Sequence, residues 1–426
     1  MKASLAAILL AALAVGAVTG AWNSSTQESQ ESQLSESGGK EFTLTQIKNE
    51  GYTGRDGPMA FMRAHMKYTQ KLPDFVLEAV NSSSELGMKY AAFSQVGKQM
   101  GSVAAHPTHG ADSEYAVMVQ IGSPPQSIPM NLDTGSADFW VLSTDTDQKM
   151  LKGQTLYRPA SSSSSRRLVG EKWNIKYGDG SSASGILYLD TVQIGGTRVL
   201  KMGIESPYTV SNDIANDKFV SGILGLANSA ANTVRPVPQG TYLDHIHGQL
   251  AQPILTANLR RGAPGNYNFG FINRGEYTGN IQYTPVDQHH PLWKISASGY
   301  RIGSKQSQLK IDAIVDTGTS LALLPQRVVD ELYSQIQGSF RHPKLGMMVF
   351  PCKSKLPDFF LSIGSYNGRL PGEYINYAPI DHENCYGGIQ TSAGLPFSVL
   401  GDVFLKAQFV VFDYGHQTVG FANKKL

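Results

Sequence analysis

The chain has 426 residues, of which 41% are hydrophobic and 16% are charged, and its formal net charge is +2. This composition is typical of folded domains with a large apolar core and argues against a disordered chain. So small a net charge gives no argument for nucleic acid or a membrane surface, and neither partner is expected. The length allows two or three domains.

The first 21 residues have the pattern of a signal peptide. Lys2 supplies a positive charge, residues 5–18 are almost entirely apolar, and residues 19–21 are small, as at a cleavage site. The apolar run is short for a membrane-spanning helix, so a membrane anchor is the weaker interpretation. We expect a secreted, soluble protein, with storage in a vacuole-like compartment as the alternative.

A segment with its own character follows the predicted signal peptide. Residues 22–39 are rich in Ser, Gln and Glu and are predicted to be disordered. Residues 41 to about 100 look helical, and Pro58 and Pro73 are each placed to open a helix. The apolar sides of these two helices are predicted to consist of Met59, Phe61, Met62 and Met66 in the first and Phe75, Val76, Ala79 and Val80 in the second.

From Ser113 onward, short strands alternate with turns rich in glycine and proline. The turns recur at roughly 8–12 residues, which predicts an all-β sandwich or barrel. Helices are expected to be few, at 242–250 and 326–337.

Cys352 and Cys385 are the only cysteines in the chain. Because the chain has a secretory signal, a disulfide between them is the favoured interpretation. A catalytic cysteine is the weaker alternative.

One short stretch occurs twice in this β-rich part, at residues 130–136 and 313–319. Each copy is an apolar strand that ends in Asp-Thr-Gly and is followed by a hydroxyl residue. The glycine allows a sharp turn and leaves the carboxylate at the strand end. A Gly-containing apolar stretch follows each copy at a similar distance, at 221–226 and 398–403, which indicates that a whole lobe is duplicated.

Taken together, these motifs resemble the pepsin-like aspartic proteases, and most closely the fungal secreted members. The resemblance runs from about Ser113 to the C-terminus. It implies an all-β, bilobal fold of two homologous β-barrel-like lobes with a cleft between them, preceded by a partly helical propeptide. The implied domains are a signal peptide (1–21), a propeptide (22–100), an N-terminal lobe (101–287) and a C-terminal lobe (288–426).

The resemblance implies that Asp133 and Asp316 are the catalytic residues of an endopeptidase. Two carboxylates a few ångströms apart cannot both ionise cheaply, so they would share one proton and activate a water at acidic pH. The implied supporting residues are the hydroxyls of Ser136 and Thr319, the backbone amides of Gly135 and Gly318, and Thr134 and Thr317, which would tie the two lobes together.

The turn within residues 173–185 would be an ordinary hairpin if read alone. By resemblance it is the flap that closes over substrate. The implied flap and substrate-binding residues are Tyr177, Gly178, Asp179 and Ser181, with Trp140 as partner of the flap tyrosine and Ile223 in the apolar part of the primary pocket. A carboxylate at Asp179 predicts that Lys is tolerated at P1 beside large hydrophobic residues.

In the resembling family the propeptide inhibits the enzyme until activation. Two basic-aromatic pairs, Lys67-Tyr68 and Lys89-Tyr90, could each place an ammonium between the carboxylates, and the sequence does not decide between them. Residues 22–100 contain 8 Lys and Arg and 9 Asp and Glu. A strongly basic propeptide that pairs broadly with an acidic enzyme is therefore not expected.

Three other classes of protein would require sequence features different from those of an acid protease. A catalytically inactive pepsin-like binding or inhibitor protein would be expected to lack a carboxylate, the flap tyrosine or a supporting hydroxyl. A serine hydrolase or a metalloprotease would need G-x-S-x-G or H-E-x-x-H, and neither motif is present. The expected partners are peptide substrates, the chain's own propeptide and pepstatin-type inhibitors, for a monomer without cofactor or metal.

Overall fold

The computed structural model describes residues 39–46, 56–69, 71–82, 116–176, 182–211, 214–215, 217, 219–343 and 345–426. The predicted signal peptide lies outside these residues, and so do the predicted flap residues Tyr177, Gly178, Asp179 and Ser181 and the pair Lys89-Tyr90. Within the described ranges, no helix is both long enough and apolar enough to cross a membrane.

Strands dominate the described part of the chain. In chain order they are β1 (Phe42–Thr45), β2 (Ala116–Ile121), β3 (Gln126–Asp133), β4 (Phe139–Val141), β5 (Arg166–Lys176), β6 (Ser182–Ile194), β7 (Thr197–Val210), β8 (Gly222–Gly225), β9 (Ile254–Asn258), β10 (Asn266–Phe269), β11 (Thr278–Pro285), β12 (Lys294–Ala297), β13 (Gly299–Ile302), β14 (Lys305–Ser307), β15 (Ile311–Val315), β16 (Ala322–Leu324), β17 (Phe340–Arg341), β18 (Met348–Pro351), β19 (Phe359–Ile363), β20 (Tyr366–Leu370), β21 (Asn376–Pro379), β22 (Asn384–Gly387), β23 (Ile389–Thr391), β24 (Ser398–Leu400), β25 (Gln408–Asp413) and β26 (Thr418–Asn423).

The described helices are short and few. The α-helices are α1 (Gly57–Thr69), α2 (Asp74–Ser82), Tyr242–Ile246, Gln326–Tyr333, Gly372–Ile375 and Asp402–Leu405. Single 3-10 turns lie at Gln148–Met150, Pro159–Ser161, Ser229–Ala231, His247–Gln249 and Arg274–Glu276. The helices predicted at 242–250 and 326–337 are therefore present, although the first ends in a 3-10 turn and the second is shorter than predicted.

The described strands form five sheets. The seven-stranded sheet has the order β2-β3-β8-β4-β7-β6-β5, and because β2 also pairs with β6 it closes on itself like a barrel. The other orders are β1-β10-β9-β25-β26-β11, β12-β15-β24-β16-β23, β14-β13-β19-β20 and β17-β18-β22-β21. The predicted all-β class is confirmed.

A three-strand unit occurs once in each half of the sheet structure. In the first, β3 lies parallel to β8, and β4 is antiparallel to β8. In the second, β15 lies parallel to β24, and β16 is antiparallel to β24. Buried apolar residues on these strands hold both units in the core, as parallel strands covered on both faces require. The predicted duplication is thus visible as repeated topology, while the domain boundaries remain predictions.

The N-terminal segment packs onto this framework through one strand and two helices. Helices α1 and α2 begin next to Pro58 and Pro73, as predicted, and most of the predicted apolar positions whose side chains are described lie in the core. Residues 42–45 were expected to be helical, which is wrong. They form β1 because Phe42 and Leu44 alternate with β-branched threonines and pair with the edge strand β10.

The predicted disulfide is present. Cys352 follows β18 and Cys385 lies in the adjacent strand β22, and their Cα atoms are 4.9 Å apart. The bond joins two neighbouring strands of one sheet, so it restrains the second half of the molecule only.

Candidate active site

Asp133 and Asp316 occupy equivalent places in the two repeated units. Asp133 is the last residue of β3 and Asp316 directly follows β15. Their exposed fractions are 2% and 0%. Each is followed at once by its Thr-Gly turn, so both carboxylates are fixed at strand ends inside the protein.

Each carboxylate is held by its own turn in the same way. The Gly135 amide donates to Asp133 Oδ1 at 2.8 Å and the Ser136 hydroxyl to Asp133 Oδ2 at 2.5 Å. In the second turn, the Gly318 amide donates to Asp316 Oδ1 at 2.8 Å, and the Thr319 hydroxyl donates to Asp316 Oδ2. These donors stabilise the ionised form of both carboxylates.

The two glycines are required because each one faces the opposite aspartate. A Cβ atom on Gly135 would lie 2.5 Å from Asp316 Oδ1, and a Cβ on Gly318 would lie 2.3 Å from Asp133 Oδ1. Either contact is far closer than van der Waals distance. The absent side chains therefore allow the two carboxylates to approach one another.

Thr134 and Thr317 join the two turns to each other. The Thr134 amide donates to Thr317 Oγ1 at 3.1 Å, and the Thr317 amide donates to Thr134 Oγ1 at 3.0 Å. The two hydroxyls donate onward to backbone carbonyls, Thr134 to Val315 at 2.9 Å and Thr317 to Leu132 at 2.8 Å. This reciprocal set fixes one turn against the other.

The N-terminal segment inserts a lysine between the carboxylates. Lys67 Nζ lies 2.9 Å from Asp133 Oδ1 and 3.0 and 2.9 Å from the two oxygens of Asp316. Tyr68 donates to Asp316 Oδ2 at 2.5 Å. Of the two pairs that the sequence left open, the structure places Lys67-Tyr68 at the site, and Lys89-Tyr90 lies outside the described residues.

The titration of these groups is set by burial and by the bound cation. Burial raises the pKa of Asp133, and the charge of Lys67 opposes this without reversing it. Burial acts in the same direction on Asp316, but Lys67, Thr319 and Tyr68 outweigh it and leave the pKa below its usual value. Burial lowers the pKa of Lys67, yet the two carboxylates more than compensate and raise it. The lysine therefore stays charged over a negative site.

Aromatic rings line the site next to Tyr68. Its ring meets the Phe397 ring edge to face at 4.9 Å, and Phe397 meets the His290 ring at 5.4 Å. Neither residue was predicted, since no local motif marks them. An aromatic residue shortly before the second Gly-containing stretch was the available signal for Phe397.

The predicted pocket residues that the structure describes lie close to the first turn. Trp140, 3% exposed, belongs to β4, and its register partner on β8 is the half-buried Ile223. Trp140 packs in a cluster with Trp173 and Ile175, which lead towards the predicted flap. The four predicted flap residues cannot be placed relative to them, because they lie outside the described residues.

The arrangement agrees with comparisons to known proteins. The protein-family model described as "Eukaryotic aspartyl protease" matches residues 114–424. Endothiapepsin from Cryphonectria parasitica is 40% identical over 394 residues, which cover 91% of this chain and 92% of that protein. Penicillopepsin-2 from Penicillium janthinellum is 42% identical over 341 residues, covering 80% and 85%.

A solved structure shows the same fold. The crystal structure of aspartic proteinase from Irpex lacteus superposes with a TM-score of 0.61 at 23% identity and covers 74% of this chain and 95% of that chain. At this identity the likeness concerns the fold alone, whereas the family model and the relatives match most of the sequence. The chain therefore belongs to the pepsin-like aspartic proteases of family A1 and is an aspartic-type endopeptidase.

Proposed function

We propose that the chain is the zymogen of a secreted acid endopeptidase in which Asp133 and Asp316 activate the attacking water. The observation that carries this proposal is the pair of matched turns, which bring two buried carboxylates to one point where a single ammonium bridges them. A spacing that lets one cation contact both carboxylates also lets one water contact both.

In the activated enzyme the two carboxylates share one proton. The ionised carboxylate takes a proton from the water as its oxygen attacks the peptide carbonyl carbon. The protonated partner hydrogen-bonds the carbonyl oxygen and gives it the proton as negative charge develops there. The tetrahedral intermediate then collapses: the C–N bond breaks, the amine nitrogen takes the proton that the first carboxylate accepted from water, and a hydroxyl of the intermediate returns its proton to the second carboxylate. The pair again holds one proton, and no covalent intermediate with the enzyme forms.

Inhibition in the full chain follows from Lys67 and Tyr68. The ammonium contacts both carboxylates, and the tyrosine hydroxyl, whose pKa burial raises well above its usual value, stays protonated and donates to Asp316. Substrate and water cannot reach the carboxylates while this pair is bound. The inhibitory contact is thus one buried cation supported by apolar packing, in keeping with the balanced charge of the segment.

Release of the segment at acidic pH is favoured by a buried histidine in α1. His65 Nε2 donates to the Thr391 carbonyl at 2.9 Å, and Nδ1 is buried without a hydrogen-bond partner among the described residues. Burial lowers the pKa of His65 from 6.5 to about 4, although the bond to Thr391 partly opposes this. Acid therefore weakens docking in two ways, because it protonates the partners of Lys67 and puts a charge on His65.

For specificity, we propose that the enzyme prefers large hydrophobic residues around the scissile bond and tolerates Lys at P1. The aromatic contact between Tyr68 and Phe397 beside Asp316 supports the apolar preference. The Lys preference rests on the sequence position of Asp179 alone. If Asp179→Ser leaves the ratio of cleavage after Lys to cleavage after Phe unchanged, the proposed role of this carboxylate is wrong.

Secretion, inhibition by pepstatin and a monomeric state belong to the same proposal. The signal-peptide pattern and the disulfide both fit an oxidising, secretory route. The inactive binding protein is the alternative. It is disfavoured because both carboxylates and their four turn donors are in place.

The decisive experiment is proteolysis of denatured haemoglobin or casein by the purified chain, scanned from about pH 2.5 to 7.5 with and without pepstatin. We expect activity confined to acidic pH, abolished by pepstatin and by Asp133→Asn or Asp316→Asn. Asp312→Asn is the matched control, since this exposed carboxylate lies on the strand that leads to Asp316. No activity at any pH, even after removal of the N-terminal segment, would favour the binding-protein alternative.

A further inference from the structure

A second pair of buried carboxyl groups lies behind the first catalytic turn. Asp138 comes directly before β4, and Glu205 lies on β7, whose register partner on β4 is Trp140. Both acids are 1% exposed. One side-chain amide joins them, because Asn232 Nδ2 lies within hydrogen-bond distance of an oxygen of each acid.

The surroundings supply hydrogen-bond donors to one oxygen of each acid. Asp138 Oδ1 accepts from the Thr233 amide and hydroxyl, each at 2.8 Å, and from Asn232 Nδ2 at 3.4 Å. Asn232 Nδ2 also donates to Glu205 Oε1 at 3.0 Å. Glu205 Oε2 is buried and has no donor among the described residues. A proton on this oxygen would make it a hydrogen-bond donor instead of an unsatisfied acceptor.

One basic residue acts on Asp138 by its charge without outweighing burial. This residue is Arg235, whose guanidinium donates to the Asn232 carbonyl at 2.9 Å and the Val234 carbonyl at 2.7 Å. For Glu205 the acting charge is Asp138 itself. Burial, followed by repulsion from Asp138, raises the pKa of Glu205 well above its usual value of 4.5.

The pair is tied to the catalytic turn through the main chain. Asn232 Nδ2 donates to the Ala137 carbonyl at 3.2 Å, and the Asp138 carbonyl accepts from the Gly225 amide at 2.9 Å. These bonds hold the two residues that directly follow Ser136, whose hydroxyl donates to Asp133. A movement of Asp138 is therefore passed directly to the donor of the first carboxylate.

We propose that Asp138 and Glu205 share one proton and, with Asn232, act as positioning residues that hold the Ser136 loop against Asp133. Loss of this proton puts two negative charges in contact and loosens the loop. The pair thus limits the enzyme on the alkaline side, separately from the catalytic carboxylates. This inference rests on the proposed roles of Asp133 and Ser136.

The sign of the pH effect follows from linkage. A carboxyl group whose pKa is raised by folding binds its proton more tightly in the native state than in the unfolded state. The stability that Glu205 contributes is therefore complete below its usual value of 4.5 and is lost as the pH rises through its raised pKa. The contribution of Glu205 should therefore weaken towards neutral and alkaline pH.

The test uses the full chain with Glu205→Gln, which keeps a hydrogen-bond donor and removes the titration. Asp138→Asn removes the same repulsion by neutralising the other acid, and it replaces Glu205→Gln in the test if that variant does not fold. Glu373→Gln is the matched control, because this side chain is 70% exposed. Infrared difference spectra at neutral pH, thermal unfolding against pH, and kcat against pH after removal of the N-terminal segment are compared with the wild type.

We expect the infrared spectrum of Glu205→Gln to lose the carbonyl stretch of a protonated carboxylic acid. The pH at which stability falls on the alkaline side, and the pH at which kcat falls on that side, should each rise by about one unit or more. The control should change neither. Unchanged spectra and limbs would overturn the shared proton, and a shift in unfolding without a shift in kcat would overturn the positioning role. If no variant shows proteolysis at any pH, the proposed function fails, while the spectra and unfolding still decide the state of the pair.

Discussion

The two catalytic turns share their local geometry and rest on different supports. In each turn, the glycine amide donates to its own aspartate at 2.8 Å. Five residues after Asp133 the chain places Asp138, whereas five residues after Asp316 it places Leu321, which is fully buried. The first turn is therefore backed by two buried acids, Asp138 and Glu205, whereas behind the second turn the matching position is apolar and one buried acid, Asp402, donates its amide to the Thr319 carbonyl at 2.7 Å.

The N-terminal segment adds a second difference, because its polar contacts favour the second turn. Lys67 makes one contact with Asp133 and two with Asp316, and Tyr68 donates to Asp316 only. His65 docks on Thr391 in the same half. The first turn thus loses support as pH rises, whereas the inhibitory contact on the second loses support as pH falls. The motif encodes the geometry, and the groups packed behind it set the response to pH.

The largest expected effect comes from Lys67→Met, which keeps most of the side-chain volume and removes the shared cation. Breaking a buried ion pair by removing one partner costs roughly 3–5 kcal/mol. Near neutral pH the docked segment should therefore open more often, and the full chain should bind pepstatin where the wild type does not. The measurement is fluorescent-pepstatin binding to both chains at one pH.

Lys71→Met is the matched control, because Lys71 lies four residues further along the same segment and is exposed. It should leave pepstatin binding unchanged. Equal pepstatin occupancy in the Lys67 variant and the wild type would mean that apolar packing alone holds the segment over both turns.

Sequence reasoning predicted the turns because their chemistry is local. Asp-Thr-Gly and the following hydroxyl supply the carboxylate, the turn and two of its donors within four residues. The repeat of this pattern on a second apolar strand predicted the duplicated units. The pairing of Cys352 with Cys385 was predictable for a simpler reason, since the chain has no other cysteines.

The features that the sequence did not reveal depend on long-range contacts. The four residues of β1 become a strand only because β10 offers an open edge. Lys67 is distinguished from Lys89 by the packing of α1, not by any local signal. Glu205 meets Asp138 because β4 and β7 are neighbours, a pairing that the apolar pattern of either strand leaves undefined.

His65 provides the next test, since it gives the second half a pH response of the opposite sign. Because its pKa is about 4 in the docked state and 6.5 ordinarily, its contribution to docking is present above 6.5 and is lost as the pH falls towards 4. The full loss is about 3 kcal/mol. His65→Gln retains a donor for the Thr391 carbonyl without titrating, so the segment should stay docked to lower pH.

The measurement for His65 is the pH at which the full chain begins to bind pepstatin. His289→Gln is the control, because His289 is exposed and lies in the second half. If His65→Gln releases the segment at the same pH as the wild type, the acid response comes from the carboxylates alone. The difference in pH response between the two halves would then rest on the Asp138 pair only.

The next prediction has a smaller expected effect and tests whether the two catalytic turns are geometrically equivalent. Gly135→Ala and Gly318→Ala each place a Cβ against the opposite carboxylate, so both should separate the pair. A displacement of about 1 Å at a reacting group costs on the order of a hundredfold in kcat/KM, and we expect losses of that order. Gly248→Ala is the control, since a Cβ there meets no atom within 4 Å. A strong loss in only one turn would show that the two aspartates are not geometrically equivalent.

The smallest expected effect comes from removing the hydroxyl of Ser136 or Thr319. It distinguishes what each turn contributes from what the residues packed behind it contribute. The Ser136 and Thr319 hydroxyls each lower the pKa of their own aspartate. Because a hydrogen bond to a charged group contributes roughly 1.5 kcal/mol, Ser136→Ala and Thr319→Ala should each move the acid limb of kcat/KM upward by about one pH unit.

The exchanges Ser136→Thr and Thr319→Ser keep a hydroxyl in each turn and are the matched controls for this prediction. They should leave the acid limb where it is if the turns are interchangeable units. Ser136 lies on the loop held by the Asp138 pair, so an added methyl there is resisted by a hydrogen-bonded network, whereas Thr319→Ser only removes a methyl group. A shift in the alkaline limb of Ser136→Thr alone would therefore connect the hydroxyl of the first turn to the ionisable pair behind it.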